Sequence, residues 1–173
     1  MPENTPVMRS LWVIRHAKSS WANAGEADRV RCLNARGEKN GEQMSDWFSQ
    51  YSPLDCLLVS SATRAQATAT YVARGFRTHK NQHIIDERLY LADVDTLYDV
   101  LNELPDDIQV AAVVAHNPGL THLVNSLGAS SITDNLPTLG CVMFEFEGSW
   151  LDLRPSKASL VTLMTPKKLN QVT

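Results

Sequence analysis

Three short stretches of this 173-residue chain are apolar almost without interruption: LWVI (11–14), CLLVSS (56–61) and VAAVVAH (110–116). A strand with one wet face alternates polar and apolar residues. An unbroken run of this length instead suits a strand buried on both faces of a mostly parallel sheet. Such a sheet needs helices on both of its faces, and the segments between the runs carry helical patterns. The spacing predicts a helix over 36–51, with Met44, Trp47, Phe48 and Tyr51 on one face and Asn34 as N-cap. Residues 63–74 read as an Ala/Thr helix closed by Gly75 at C′. A helix over 95–104 carries Leu97, Leu101 and Leu104 and stops at Pro105. Asn117–Pro118 reads as an N-cap with proline at N1, ahead of a Leu120, Leu123, Val124, Leu127 stripe that ends at Gly128. The tail departs from this rhythm. CVMFEFEGSWLDLRP alternates on either side of Glu147–Gly148 and ASLVTLMTP follows, which predicts an antiparallel hairpin or meander. The expected fold is an α/β three-layer sandwich: a mixed, mostly parallel central sheet, helices on both faces and a C-terminal antiparallel hairpin. One domain is expected over 1–173, with residues 1–8 and 167–173 as flexible ends.

In open α/β sheets, ligands bind at the carboxyl ends of the strands. The first run ends in Arg15–His16. The second ends in Ser60–Ser61, with Arg64 in the first turn of the next helix, and the third ends in His116–Asn117. Three junctions thus bring two arginines and two histidines to one sheet edge, where helix N-termini add N–H donors. Taken singly, each residue has an ordinary reading. Arg15 is a surface ion-pair former, His16 a hydrogen-bonded structural residue, and His116 part of a capping turn. Arg64 is less easily set aside, because a cation at a helix N-terminus opposes the dipole and needs an anion or carboxylate to compensate it.

The chain's net charge of −3 gives no support to a nucleic-acid binder, so any anion site is a local basic cluster. The three cysteines are scattered, without a CxxC pair, which fits a reducing cytoplasm rather than a disulfide framework. No apolar run approaches the roughly 20 residues of a membrane span, and MPENTPVMRS lacks the layout of a signal peptide. The chain is expected to be cytoplasmic, without membrane or nucleic-acid partners. His16, His116 and His122 show no metal-ligand spacing, so neither metal nor cofactor is expected. No GxxxxGK[ST] or GxGxxG loop is present.

RHAKSSW (15–21), SSATRAQATA (60–69) and AHNPGL (115–120), in this order at these junctions, resemble the histidine phosphatase (phosphoglycerate mutase-like) superfamily. The short length, the AHNPGL form, LNARG (33–37) and LPTLG (136–140) look most like its SixA branch of phosphohistidine phosphatases. The resemblance covers about Leu11 to Pro166. Ala17, Ala67 and Ala22 depart from the glycine, glutamine and mutase asparagine of relatives. The last of these argues against a mutase activity more than against a phosphatase one.

The resemblance implies that His16 is the nucleophile, forming a phosphohistidine intermediate through its lone-pair nitrogen. Arg15 and Arg64 would clamp nonbridging phosphate oxygens with their planar forks, and His116 would add a donor. Glu87 is the candidate general acid, with Asp86 or no acid as alternatives. Ser19 and Asn117 are candidate phosphate-site residues, with turn-making as their ordinary role. Arg29 and Arg31 read either as a positive rim or as a plain solvated loop, the latter reading being favoured. The expected substrate is a phosphorylated protein carrying phosphohistidine. The alternatives are a small phosphate ester or a non-catalytic phosphate-binding module.

Overall fold

The apolar runs are strands whose side chains divide between two cores. A computed structural model describes residues 5–172. The chain order is β1 (Met8–Arg15), α1 (Ala35–Phe48), β2 (Cys56–Ser60), α2 (Thr63–Gly75), β3 (His83–Asp86), α3 (Val94–Asn102), β4 (Val110–Ala115), α4 (Gly119–Leu127), β5 (Cys141–Glu147), β6 (Ser159–Met164) and α5 (Pro166–Val172). One sheet runs in the order β3-β2-β4-β1-β5-β6. Its first four strands are parallel, whereas β5 and β6 pair antiparallel. Alternate residues of each strand face opposite layers, as the pleat requires. Trp12 and Ile14 pack with Met44, Phe48 and Val72 of α1 and α2, while Leu11 and Val13 pack with Leu97, Leu101 and Leu123 of α3 and α4. This is the expected α/β sandwich with its antiparallel C-terminal pair. Among the described residues, no helix is long and apolar enough to cross a membrane.

The aromatic stripe expected on α1 closes around one strand residue. Trp12, 1% exposed, meets Trp47, Phe48, Tyr51 and Phe76 edge-on at centroid distances of 4.8 to 5.9 Å. Such pairs add about 0.5–1.5 kcal/mol each beyond the area they bury. Asn34 caps α1 as predicted, its side chain accepting from the Gly37 N–H at 2.9 Å.

Several boundaries differ from the sequence reading. Gly75 is the last residue of α2 rather than its left-handed C′, and Arg77 takes the positive φ of 55°. Gly75 answers a packing demand instead, since a Cβ there would sit 2.6 Å from the Ser45 carbonyl oxygen. Asn117 does not cap α4 directly: Pro118 is the N-cap and the helix starts at Gly119. The Asn117 side chain still serves that end, accepting from the Thr121 N–H at 3.2 Å. The second alternating run beyond Gly148 is a 3-10 turn (Trp150–Asp152), not a strand. Trp150 and the following Leu153 are buried while Leu151 is exposed; Asn102 Nδ2 donates to the carbonyls of Trp150 and Leu153, and the Trp150 indole donates to the Ile108 carbonyl. Within the ends expected to be flexible, Met8 opens β1 and Pro166–Val172 form α5. Residues 1–4 and 173 lie outside the described residues.

Candidate active site

The carboxyl ends of β1, β2 and β4 open onto a cavity of about 210 Å³. Four cationic side chains, Arg15, Lys18, Arg31 and Arg64, line it together with His16 and His116, and among the described residues no carboxylate lines it. Local hydrogen bonds hold each part of the lining. The chain continues past β1 as extended backbone, His16 N–H donating to the Ala115 carbonyl at 3.2 Å while the Leu139 N–H donates to the His16 carbonyl at 3.1 Å. The LPTLG segment also receives the Arg15 guanidinium, Nη1 donating to the Leu136 carbonyl at 2.9 Å. Arg15 Nε is buried and has no protein partner, leaving a donor for an incoming anion. Thr68 ties α2 to the first motif: its Oγ1 accepts the Ala17 N–H at 2.9 Å and donates to the Arg64 carbonyl at 2.7 Å. Gly37 permits the first turn of α1 to press on the loop, since a Cβ there would lie 2.2 Å from the Lys18 carbonyl oxygen.

The tautomers of both histidines follow from their partners. His16 Nδ1 faces the Ala17 carbonyl at 2.8 Å, so it carries the proton and leaves a lone pair on Nε2. Arg64 Nε–H donates to that Nε2 at 3.3 Å. Arg64 also reaches His116 Nδ1 at 3.4 Å. An arginine only donates, so Nδ1 is the acceptor and His116 Nε2–H donates to Ser60 Oγ at 2.7 Å. The two imidazoles lie 5.1 Å apart. Burial, reinforced by the surrounding arginines, pushes the His16 pKa down to about 4; the Ala17 bond opposes it. Burial and the neighbouring His16 and Arg64 push His116 down to about 3. Both rings are therefore neutral at pH 7, as an attacking nitrogen must be.

The carboxylate that Arg64 requires at the helix N-terminus is Asp28. Its Oδ2 accepts from Arg64 Nη2 at 3.0 Å and from the Tyr90 hydroxyl at 2.6 Å, and its carbonyl accepts from Arg64 Nη1 at 2.7 Å. Asp28 Oδ1 accepts from Arg31 Nε at 3.1 Å. The Tyr90 hydrogen bond, followed by those of Arg64 and Arg31, holds the Asp28 carboxyl down at about 2. The sequence reading missed Asp28 and favoured a solvated role for Arg31. Arg31 is 6% exposed and donates to Ser19 Oγ at 2.8 Å, so it belongs to the cavity wall. The only sequence signal for either residue was the requirement for a carboxylate near Arg64, and that requirement named no position.

The remaining predicted residues divide. Ser19 lines the cavity. Asn117 also lines it, but its amide is spent on Asn135 Oδ1, the Leu136 carbonyl and Thr121, so it fixes the loop that follows His116. Glu87 is mostly exposed and stands outside the lining, paired with Arg29 and accepting from Ser61 Oγ at 3.0 Å. Arg29 and then Ser61 hold its pKa below the ordinary glutamate value. Asp86 is turned to Arg88, with Oδ2 2.7 Å from Nη2. Arg29 lies over the Tyr90 ring at 4.4 Å, at the rim. Among the described residues, no group of three or more His, Cys, Asp and Glu is arranged to hold a metal.

Comparisons with known proteins agree with this architecture. Residues 11–117 match the Histidine phosphatase superfamily (branch 1). The chain is 30% identical over 164 residues to the uncharacterized protein Rv1276c of Mycobacterium tuberculosis, covering 89% of this chain and all of that one. Its fold superposes with TM-score 0.79 and 21% identity on a protein assigned as phosphohistidine phosphatase SixA of Nakamurella multipartitia, covering 92% and 96% of the two chains. It superposes with TM-score 0.78 and 21% identity on the protein histidine phosphatase SixA complexed with tungstate, covering 92% and 99%. The matched segment carries RHAKSSW, SSATRAQATA and the histidine after β4, and on that ground the chain belongs to the histidine phosphatase superfamily and is a phosphatase of its branch 1.

Proposed function

We propose that this phosphatase removes the phosphoryl group from phosphohistidine on a protein, through a phosphohistidine intermediate on His16. The substrate imidazole first takes a proton from water on its other ring nitrogen; His16 Nε2 then attacks phosphorus in line, the P–N bond breaks, and that imidazole leaves as the neutral ring. Water then attacks the phosphorus on His16, giving inorganic phosphate and returning the ring. Arg15, Arg64 and His116 hold the nonbridging oxygens, where preorganised donors stabilise charge as it redistributes. Ser19, Arg31 and Asn117 support that wall. An arriving phosphate dianion also opposes the burial and the neighbouring charges that keep His116 neutral, favouring its protonated, donating form.

The observation that carries the choice of substrate is the absence of a poised acid. Among the described residues, no carboxylate lines the cavity, and Glu87 is exposed at the rim with its pKa lowered by Arg29. An alkoxide leaving group, with a conjugate acid near that of water, needs a proton donor. An imidazole whose conjugate acid titrates near 6.5 needs far less help. The cavity volume supports the same reading, because about 210 Å³ is below the roughly 300–1,000 Å³ of most metabolite pockets. It takes in a phosphoryl group and leaves its carrier outside. The SixA protein solved with tungstate, a tetrahedral oxyanion, adds support by its shared fold.

The test is to incubate the protein with a phosphohistidine protein and with a panel of sugar and nucleotide phosphates. Acid-labile, alkali-stable phosphate on His16, absent from His16→Ala, is the expected result, with turnover of the protein substrate at least tenfold above the esters. Undiminished label in His16→Ala overturns the mechanism. Preferred turnover of an ester overturns the substrate assignment.

A further inference from the structure

Two apolar side chains at the mouth of the cavity are unexplained by phosphate chemistry. Trp21 is 74% exposed and Leu91 57% exposed, yet both line the cavity that the four cations line. Large exposed apolar side chains that border a binding pocket mark contact surfaces. Trp21 lies on the loop after β1. Leu91 lies on the turn after β3, which stands three places from β1 in the sheet, about 14 Å at ~4.8 Å per strand. The two loops lean to one opening from well-separated strands.

Each residue is held outward by something specific. The Trp21 ring is stacked on the guanidinium of Arg31, whose central carbon lies 3.5 Å from the ring centroid. Arg31 is itself fixed by Asp28 and Ser19. One indole face is thus pinned to the charged wall while most of the ring is in solvent. Leu91 adopts φ of 51°, a left-handed conformation that is rare and strained for a bulky residue. Neither placement comes from core packing.

We propose that Trp21 and Leu91 are the anchors of a docking rim for the protein that carries the phosphohistidine. The partner is a folded surface whose phosphorylated imidazole projects from an apolar collar. The anion enters the basic cavity while the collar packs against the indole and the leucine. This rests on the function proposed above and adds the recognition surface to it. Charge and polarity are complementary on both levels: cations lie inside and apolar side chains lie outside.

The experiment compares kcat/KM for a phosphohistidine protein with kcat/KM for phosphoramidate, which carries the P–N bond and no protein. In Trp21→Ala and Leu91→Gly, the protein-to-phosphoramidate ratio of kcat/KM falls by about 10- to 100-fold, the loss typical of a truncated interface anchor, with the change in KM. Glycine tolerates the left-handed φ, so Leu91→Gly removes the side chain and keeps the turn. A ratio that stays within about twofold of wild type overturns the rim. Trp21 would then serve only to hold Arg31, which depresses both substrates together. Wild-type turnover of phosphoramidate with no turnover of the phosphohistidine protein overturns the substrate reading instead, and the rim with it.

Discussion

The neutrality of His16 sets a measurable acid limit on the enzyme. An unfolded histidine titrates near 6.5, while burial places the folded ring at about 4. At pH 5 a group of pKa 4 is about nine-tenths neutral, whereas one of pKa 6.5 is about one-thirtieth neutral. If neutral His16 is the attacking form, kcat/KM at pH 5, after correction for the substrate's ionisation, keeps most of its pH 7.5 value. It drops only as the pH approaches 4. The same displacement acts on stability. The folded chain binds fewer protons than the unfolded chain between about pH 4 and 6.5. Stability from His16 is therefore fully present above 6.5 and is lost as pH falls through that window. About 2.5 pKa units at 1.36 kcal/mol each give about 3 kcal/mol, a sizeable part of the ~5–15 kcal/mol of an ordinary domain. NMR titration of the ring nitrogens, with urea unfolding at pH 7 and 4.5 in wild type and His16→Asn, measures both effects. A His16 ring that titrates near 6.5, or a thirtyfold loss of kcat/KM by pH 5, refutes the reasoning.

Other perturbations separate the roles around the site. Asp28→Asn removes the charge that fixes Arg64 and Arg31, and displaced clamps lower kcat/KM by about 10- to 100-fold. Steady-state kinetics check it, and a variant within twofold of wild type excludes a positioning role. Glu87→Gln changes kcat by less than about threefold on a phosphohistidine protein, since an ionised rim carboxylate is no proton donor; a hundredfold loss would restore it as the general acid.

The sequence made the strands and the four principal site residues legible for the same physical reason. An unbroken apolar run ending in charge is costly unless the charge has a task at the sheet edge, so β1, β2 and β4 pointed to Arg15, His16, Arg64 and His116. Asp28 and Arg31 carried no such signal. They sit in a polar loop of ordinary composition, and only the path of that loop past the N-terminus of α2 brings them to Arg64. The turn at Trp150–Asp152 misled because its apolar residues alternate as a strand's do. The cause is Asn102, 48 residues away, which ties down the backbone carbonyl of Trp150. The four residues of β3 were too few to show a period. Helix ends at Gly75 and Asn117 were displaced by a residue or two, where close packing and side-chain bonds overrode local preference.

The position of Arg64 also bears on how the enzyme rests between substrates. Its Nε–H occupies the lone pair of His16 Nε2, and its other donors are held by Asp28 and His116. On the mechanism proposed above, this N–H engages the very lone pair that attacks phosphorus. A neutral electrophile that diffuses in offers the guanidinium only an uncharged acceptor and meets a nitrogen already engaged. On the same mechanism, a phosphoryl dianion would attract that guanidinium to its own oxygens and so uncover the atom that is to attack it. The clamp would then act as a shutter that answers to charge, reserving the nucleophile of the proposed mechanism for anionic ligands.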